Sequence, residues 1–356
     1  MKIAVLLSGG VDSSVALRML QTEKCHDITA FYLKIWLEEE VRFLGDCPWE
    51  EDLEYAKAVC DQAGVPLEVV PLQREYYDTI VRYALDELRR GRTPSADVFC
   101  NQRIKFGLFR DRISPDFEKI ASGHYAMLKQ AGDSVLLARS PDPVKDQTYF
   151  LSHQTQEQLR RSLFPIGHLM KDQVRKLASE FGLPNQTRKD SQGICFLGKI
   201  KYPDFVRFYL GEQPGDIVDR ETGTVLGGHN GYWFYTIGQR QGLGLSGGPW
   251  YVSGKNVETN TIYVTHGERA EALDRQDFTV SDLHWINGPP GKDLHLTAKL
   301  RHGPEVTACS IKPAGAEKLA VHLDMPDRGI APGQFCVFYD DEICLGAGSI
   351  DEPLNR

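Results

Sequence analysis

The chain has no Cys-x-x-Cys pair, no apolar run of about 20 residues and no excess of positive charge. Each absence removes a class. Its eight cysteines (Cys25, Cys47, Cys60, Cys100, Cys195, Cys309, Cys336, Cys344) are scattered, which argues against a zinc ribbon and, in a reducing compartment, against a disulfide framework. Most of them read as plain thiols. The N-terminus has one lysine and then a short apolar run that meets glycines within a few residues, so neither a secretory h-region nor a membrane span fits and a cytoplasmic location is expected. The net charge of −8 gives no bulk electrostatic support for a nucleic-acid partner, which would have to be met by local patches. Repeats and low-complexity stretches are also missing. Hydrophobic and charged fractions of 41% and 25% are those of a soluble globular protein, and 356 residues suit two or three domains.

What the chain does have is concentrated at its start. Lys2-Ile3-Ala4-Val5-Leu6-Leu7 reads as a buried strand, Ser8-Gly9-Gly10-Val11-Asp12-Ser13-Ser14 as a glycine turn, and Val15 to Leu20 as the helix that follows. The glycines allow a sharp turn with close backbone approach, while the serine hydroxyls and the first N–H groups of the helix supply donors at a positive dipole end. The string lacks the Lys-Ser or Lys-Thr of a Walker loop and the third glycine of a dinucleotide loop. It resembles the SGGxDS loop of the ATP pyrophosphatase (PP-loop) family, which holds pyrophosphate while AMP is transferred. A ligand-free βα turn of small residues is the plain alternative, but such turns rarely carry this whole string.

Downstream, Asp27 to Trp36, Leu67 to Leu72 and Lys119 to Ser122 read as strands. Pro48 to Ala63, Tyr76 to Arg90, Asn101 to Ile113 and Leu169 to Phe181 read as helices, and Val135 to Ala138 as a hairpin arm. Such alternation predicts a parallel sheet with helices on both faces and ligands at the carboxyl ends of its strands, where the loop, Leu33 and Gly123 would converge. From about Tyr202 the texture changes to short β segments, among them Asp216 to Asp219, Gly231 to Tyr235 and Thr261 to Val264. After roughly Gln276, segments at Leu294 to Leu300, Leu319 to Leu323 and Gln334 to Phe338 have the spacing of a small antiparallel barrel. The expected architecture is α/β: a PP-loop domain over 1–199, a small mixed or β central domain over 200–271, and an antiparallel β-barrel over 272–356.

Two further stretches carry cysteines. Ser95-Ala96-Asp97-Val98-Phe99-Cys100 opens the helix that continues through Arg103 and Lys105; a thiol at a helix start beside cations is biased towards the reactive thiolate, although most cysteines are simply packed. Arg188-Lys189-Asp190-Ser191-Gln192-Gly193-Ile194-Cys195-Phe196 places a second cysteine after a polar loop but between apolar neighbours, so a packed strand cysteine fits as well as a reactive one. Between Arg82 and Arg112, eight basic residues stand against four acidic ones, enough for a phosphate-facing surface or merely for a solvated helical face.

With the SGGxDS loop, the Asp97-x-x-Cys100 turn and the Gly193-Ile194-Cys195-Phe196 segment in this order, the chain resembles the bacterial tRNA-specific 2-thiouridylases over nearly its whole length. Gly123-His124-Tyr125, Lys145-Asp146-Gln147 with Tyr149-Phe150-Leu151, and Tyr235 to Gly244 match further strings of that family. The resemblance implies ATP and Mg²⁺ at Leu7, Ser8, Gly9, Gly10, Val11, Asp12, Ser13, Ser14, Leu33 and Gly123. It implies Cys195 as carrier of a persulfide, Cys100 as its partner thiol and Asp97 as the nearby acid or base. It places tRNA at Ser95, Ala96, Asp97, His124, Lys145, Asp146, Gln147, Arg301, His302 and Gln334. Two segments depart from the family pattern: Ser95-Ala96 stand where Asn-Pro usually precedes the Asp, and His302 replaces the more usual aromatic after Arg301.

The implied reaction explains the residue types. Uridine O2 leaves poorly, so adenylation turns it into an AMP ester, and a sulfur nucleophile then displaces AMP. Cys100 would either release the transferred sulfur by attacking the inner one or assist the displacement, leaving a Cys100–Cys195 disulfide across 95 positions to be reduced. A sulfur-donor protein, a cysteine desulfurase or relay, is the expected second partner. The wobble base would have to be flipped from the anticodon stack to reach the site. An iron–sulfur cluster held by Asp97, Cys100 and Cys195 is an alternative, though an Asp ligand is unusual. Other classes also remain: an amide-forming PP-loop ligase, for which no N-terminal catalytic cysteine is found, and a non-catalytic tRNA- or nucleotide-binding protein.

Overall fold

The structure is a computed structural model that describes residues 1–35, 49–190, 201–291, 296–315 and 317–351. Its first sheet is wholly parallel, in the order β3-β2-β1-β4-β7, from β1 (Lys2–Leu6), β2 (Asp27–Lys34), β3 (Leu67–Pro71), β4 (Lys119–Ala121) and β7 (Ser162–Leu163). The β1 side chains divide between two cores. Ala4 and Leu6 join Phe31 on one face, while Ile3, Val5 and Leu7 join Ala30 and Tyr32 on the other, so both faces are apolar and both are covered by helices. Helices α1 (Val11–Thr22) and α2 (Trp49–Ala63) pack in the second of these cores.

A third helix, α3, runs Gln73–Tyr76, Tyr77–Val81 and Arg82–Arg89, with π geometry in its middle segment. The next, α4, comprises Ala96–Phe99, the π-helical Cys100–Leu108 and Phe109–Arg112. A π-helical stretch this long is uncommon and is often found at functional sites. Here it begins at Cys100.

The central sheet is mixed, in the order β10-β11-β8-β9, from β8 (Gly215–Asp219), β9 (Val225–His229), β10 (Trp250–Asn256) and β11 (Thr261–His266), with β11 parallel to β8 and the other pairs antiparallel. Tyr202–Leu210 is a helix, α8, where short β segments were expected. Pro203 in its first turn, Phe205 and Tyr209 on one face, and Gly211 at φ +72° after its end make that helix. Tyr232–Phe234 forms a 3₁₀ turn instead of a strand, entered through Gly231 at φ +138°.

The last sheet closes on itself as an antiparallel barrel, β12-β15-β14-β13-β16-β17 and back to β12 (Arg275–Trp285, Leu319–Asp327, Thr307–Pro313, Leu296–Lys299, Phe335–Asp340 and Ile343–Ile350). The hairpin β5 (Ala126–Ala131) and β6 (Ser134–Arg139), which belongs to the first part of the chain, adds to this barrel through β17, with Ala138 opposite Ile343 and Leu137 opposite Cys344. A seam thus forms between the parallel-sheet domain and the barrel. Near residue 90 all three units meet: the Tyr232 hydroxyl donates to Arg89 O (2.6 Å), Lys255 Nζ to Gly91 O (3.0 Å), and the Thr93 N–H to Pro332 O (2.7 Å).

Candidate active site

The loop between β1 and α1 is held from within and from behind. Gly9 takes φ +75°, and a Cβ there would stand 2.2 Å from Asp52 O, so only glycine fits. The Ser13 and Ser14 hydroxyls donate back to Gly10 O at 3.0 and 2.9 Å, and Ser8 lies against Ser13 Oγ. From far along the chain, Asn185 Nδ2 donates to Gly9 O (2.8 Å) and to Ser14 Oγ (2.9 Å), and Arg188 Nη1 donates to Gly9 O (3.1 Å). These bonds fix the Gly9 carbonyl, while the first N–H groups of α1, beginning at Val11, have no carbonyl within their own helix and stand ready for an anion. Gly123 backs directly onto this turn, since a Cβ on it would lie 2.6 Å from Ser13 N. Leu33 stands half-buried on β2, opposite Val70.

Asp12 is tied down at the mouth of the loop. It accepts from the Tyr125 hydroxyl (2.9 Å) and from Lys171 Nζ (2.7 and 2.9 Å). Lys171 opens helix α7 (Lys171–Glu180) and also pairs with Asp190 (2.8 Å), which binds Lys145 (2.6 Å) and Arg175 as well. Burial alone would raise the Asp190 carboxyl pKa, but hydrogen bonds from Lys145 and Lys171 outweigh it and bring it down to about 2. A single ionic chain therefore joins the loop to Lys145. Nothing local in the sequence marks Tyr125, Lys171, Asn185 and Arg188 as the residues that hold this loop. Their only signal is polarity in otherwise ordinary helix and loop segments.

Ser95 precedes α4, and Cys100 lies 1% exposed a full turn inside that helix. That corrects the expectation of a thiol at the helix start. The Cys100 N–H bonds to Ala96 O and Asp97 O, so the open donors of the helix belong to residues before it. Cys195 falls among residues 191–200, outside the described residues. Phe106, two turns after Cys100 along α4, packs against His124 (6.0 Å between rings), the neighbour of Gly123. His124 is buried, bonds Ser122 Oγ through Nδ1 (2.7 Å) and also meets Phe164; burial, with Lys105 nearby, drives its pKa well below the usual value and keeps the ring neutral. Four other thiols, Cys60, Cys309, Cys336 and Cys344, are buried, and burial pushes that of Cys60 up to about 11 and that of Cys309 to about 12. They are inert by this measure.

The remaining candidates gather along the seam. Gln147 braces Tyr125, accepting its N–H (2.9 Å) on Oε1. Asp146 is fully buried, and its carboxylate bonds Lys299 Nζ (2.7 Å), Arg139 Nε (3.3 Å) and Thr148 Oγ1 (2.9 Å). Lys299 is itself enclosed; burial lowers its pKa and the Asp146 charge works against that shift. The Tyr149 hydroxyl donates to Phe335 O (3.1 Å) and lies 3.4 Å from Leu300 O, so one side chain positions the neighbours of both Gln334 and Arg301. Half-exposed Arg301 pairs through both nitrogens with Asp327, and the exposed His302 ring stacks on Phe150 at 4.8 Å. A cleft of about 180 Å³ opens beside them, lined by Lys299, Arg301, His302, Glu305 and Asp327 among others.

The basic window of α3 and α4 is largely neutralised from outside itself. Arg82 meets Asp78, Arg112 meets Glu75, and Arg110 meets Glu157 (2.5 Å), while Arg92 is half-buried on Glu87 and Arg103 lies over Phe99. The local excess read from the sequence is therefore not a free positive surface. Among the described residues the one group of three clustered metal-ligating side chains is Glu23, Cys25 and His26, at the amino end of β2 and so at the opposite end of the sheet from the loop.

Comparison with known proteins matches three family models along the chain: a tRNA methyl transferase HUP domain over residues 1–199, a tRNA methyl transferase PRC-barrel domain over 203–266, and an aminomethyltransferase beta-barrel domain over 275–350. Among curated proteins, the tRNA-specific 2-thiouridylase MnmA 1 of Bacteroides thetaiotaomicron is 47% identical, over 98% of this chain and 99% of its own length. The tRNA-specific 2-thiouridylase MnmA of Parabacteroides distasonis is likewise 47% identical, over 98% and 99%. That of Porphyromonas gingivalis is 44% identical over the same shares. Among solved structures, a tRNA thiolase of Methanococcus maripaludis with a [4Fe-4S] cluster overlaps 55% of this chain and 61% of its own at TM-score 0.34 and 15% identity, too slight a likeness to carry an argument.

Proposed function

The chain belongs to the tRNA-specific 2-thiouridylases, PP-loop enzymes that thiolate uridine in tRNA, and from that premise we propose that it adenylates the C2 oxygen of the wobble uridine and replaces it with persulfide sulfur. One observation carries this reading: the helix of Cys100 touches His124, and the adjoining Gly123 lies against the backbone of the Ser8–Ser14 loop. Through these contacts the helix of Cys100 is linked by His124 and Gly123 to the loop that would hold the phosphates.

ATP would seat its phosphates on the N–H groups at the start of α1, with the loop kept in shape by Asn185 and Arg188. Mg²⁺, entering with the nucleotide, would offset charge on the departing pyrophosphate, and Asp12, an oxygen donor already oriented by Tyr125 and Lys171, is the loop carboxylate that fits it. Uridine O2 attacks the α-phosphorus and pyrophosphate leaves. The terminal sulfur of a Cys195 persulfide attacks C2 and AMP leaves with the former uridine oxygen. The Cys100 thiolate then attacks the Cys195 sulfur, releasing the 2-thiouridine thiolate and forming a Cys100–Cys195 disulfide that an external thiol reduces. Asp97, one turn before Cys100, is the acid or base for these proton movements. Lys145, Gln147, Arg301, His302 and Gln334, with Ser95 at the turn, form the tRNA face, behind which His124 and Ala96 are buried, and a persulfide-bearing donor protein supplies the sulfur.

Purified protein given ATP, Mg²⁺, a persulfide donor and unmodified tRNA for Lys, Glu or Gln is expected to yield a 2-thiolated wobble nucleoside by mass analysis, together with AMP and pyrophosphate. No gain of sulfur would refute the reading. Anaerobic purification separates the relay from the cluster alternative: active, colourless, iron-free enzyme is expected, and stoichiometric iron and sulfide would replace the persulfide step.

A further inference from the structure

Among the described residues the most enclosed ion pair lies at the seam and not at the nucleotide loop. Asp146 and Lys299 are both 0% exposed at their side chains, and they come from different domains. A carboxylate has about four acceptor positions, and here they are filled. Oδ1 accepts the Ser140 N–H (3.3 Å), the Thr148 N–H (3.3 Å) and Thr148 Oγ1 (2.9 Å), and Oδ2 accepts Lys299 Nζ (2.7 Å) and Arg139 Nε (3.3 Å). Thr148 Oγ1 also meets the Tyr339 hydroxyl (3.2 Å) on the barrel strand β16, and the Arg139 N–H donates to Glu342 O (2.8 Å). An RNA hydroxyl could reach Asp146 only by displacing these donors.

Chain neighbours give the pair its meaning. Lys145 and Gln147 flank Asp146, while Arg301 and His302 follow Lys299 within three residues. A buried ion pair adds little net stability relative to apolar packing, because desolvation offsets the Coulomb gain, but a lone buried charge is strongly disfavoured, so such a pair enforces one docking arrangement. We propose that Asp146 and Lys299 form an interdomain latch that sets the spacing between the tRNA-contacting strings of the parallel-sheet domain and the barrel. Asp146 is thereby a positioning residue and not a contact to RNA. The inference rests on the reading that Lys145, Arg301 and His302 touch tRNA.

The test compares tRNA affinity, with ATP affinity measured in parallel, for Asp146→Asn, Lys299→Met and the double variant Asp146→Asn/Lys299→Met. Each single variant is expected to weaken tRNA binding at least about tenfold while ATP binding holds, and the double variant, which removes both charges of the enclosed pair and keeps a side-chain acceptor for the Ser140 and Thr148 donors, to recover to within about threefold of the parent. Should a single variant fail to fold, the double variant decides alone. Persistent loss in the double variant, or loss in Asp146→Asn with none in Lys299→Met, would overturn the latch and return Asp146 to the RNA face. Lys145→Ala and Arg301→Ala distinguish the two layers of the argument: unchanged tRNA binding in both removes the contact reading and the latch's purpose with it, whereas weakened binding there without rescue in the double variant overturns the latch only.

Discussion

In the proposed reaction the nucleotide loop and the interdomain seam act together, but they are built in opposite ways. Ser8 to Ser14 shape their turn mostly from their own backbone and hydroxyls, with Gly9 and Gly123 making room. The seam is assembled from residues far apart in the chain: Asp146 with Lys299, Tyr149 with Leu300 and Phe335, Phe150 with His302. Binding a phosphate needs N–H groups pointing one way, which a single strand-turn-helix supplies. Holding a folded RNA needs two surfaces at a fixed separation, which no contiguous segment can supply. The first site should tolerate changes in domain docking, whereas the second is assembled by it.

That contrast can be broken most sharply at the cysteines, which both regions would serve in the proposed mechanism. Cys195→Ala and Cys100→Ala should each cut thiolation on the order of a thousandfold or more while ATP and tRNA still bind, measured as single-turnover sulfur transfer beside two equilibrium titrations. Retained thiolation in Cys195→Ala would remove the persulfide relay through that cysteine. Next in size is Gly123→Ala, whose new methyl meets the Ser13 backbone. Overpacking there should cost about 2 to 3 kcal/mol, read as weaker ATP binding with tRNA affinity unchanged. Equal losses for both ligands would mean that the two regions are not separable.

The seam has its own signature in acid. His153 is buried between His284 (5.3 Å, stacked) and Phe335 (4.3 Å), and burial pushes its pKa down to about 3. Because the folded value lies below the ordinary value of about 6.5, the unfolded chain takes up the proton first. Stability from this group is complete above about pH 6.5 and declines as pH falls towards 3, by about 2 kcal/mol between pH 7 and pH 5. Denaturant titrations at the two pH values should show that loss, and His153→Phe should reduce it. The smallest effect is expected from Arg301→Ala, about 1 kcal/mol in tRNA binding with the salt dependence lowered by about one ion, since Arg301 is half-exposed and already shared with Asp327.

The same contrast explains what the sequence could and could not disclose. Strand β1, its glycine turn and α1 were readable because apolar run, turn and helix follow one another without interruption. The ligands of that turn were not, since Asn185 and Arg188 lie more than 170 positions away and nothing local distinguishes them. Periodicity placed α4 but not its start: the helix begins at Ala96, after Ser95, and not at Asn101, which moves Cys100 a turn inward. The hairpin β5–β6 was visible as a hairpin, yet its union with the barrel depends on a pairing with β17 some 200 residues later. Asp146 was read with its neighbours as part of an RNA-contacting string, because a sequence shows that a charge is present and not whether a lysine from another domain already neutralises it.

The account turns on the claim that the uridine oxygen departs with AMP. The direct measurement is a single turnover on tRNA whose wobble uridine carries a heavy-oxygen label at C2, with mass analysis of the AMP released. The label is predicted in the AMP phosphate, in step with sulfur appearing in the nucleoside. Thiolated tRNA formed alongside unlabelled AMP would contradict adenylation at that oxygen and the chemistry built on it.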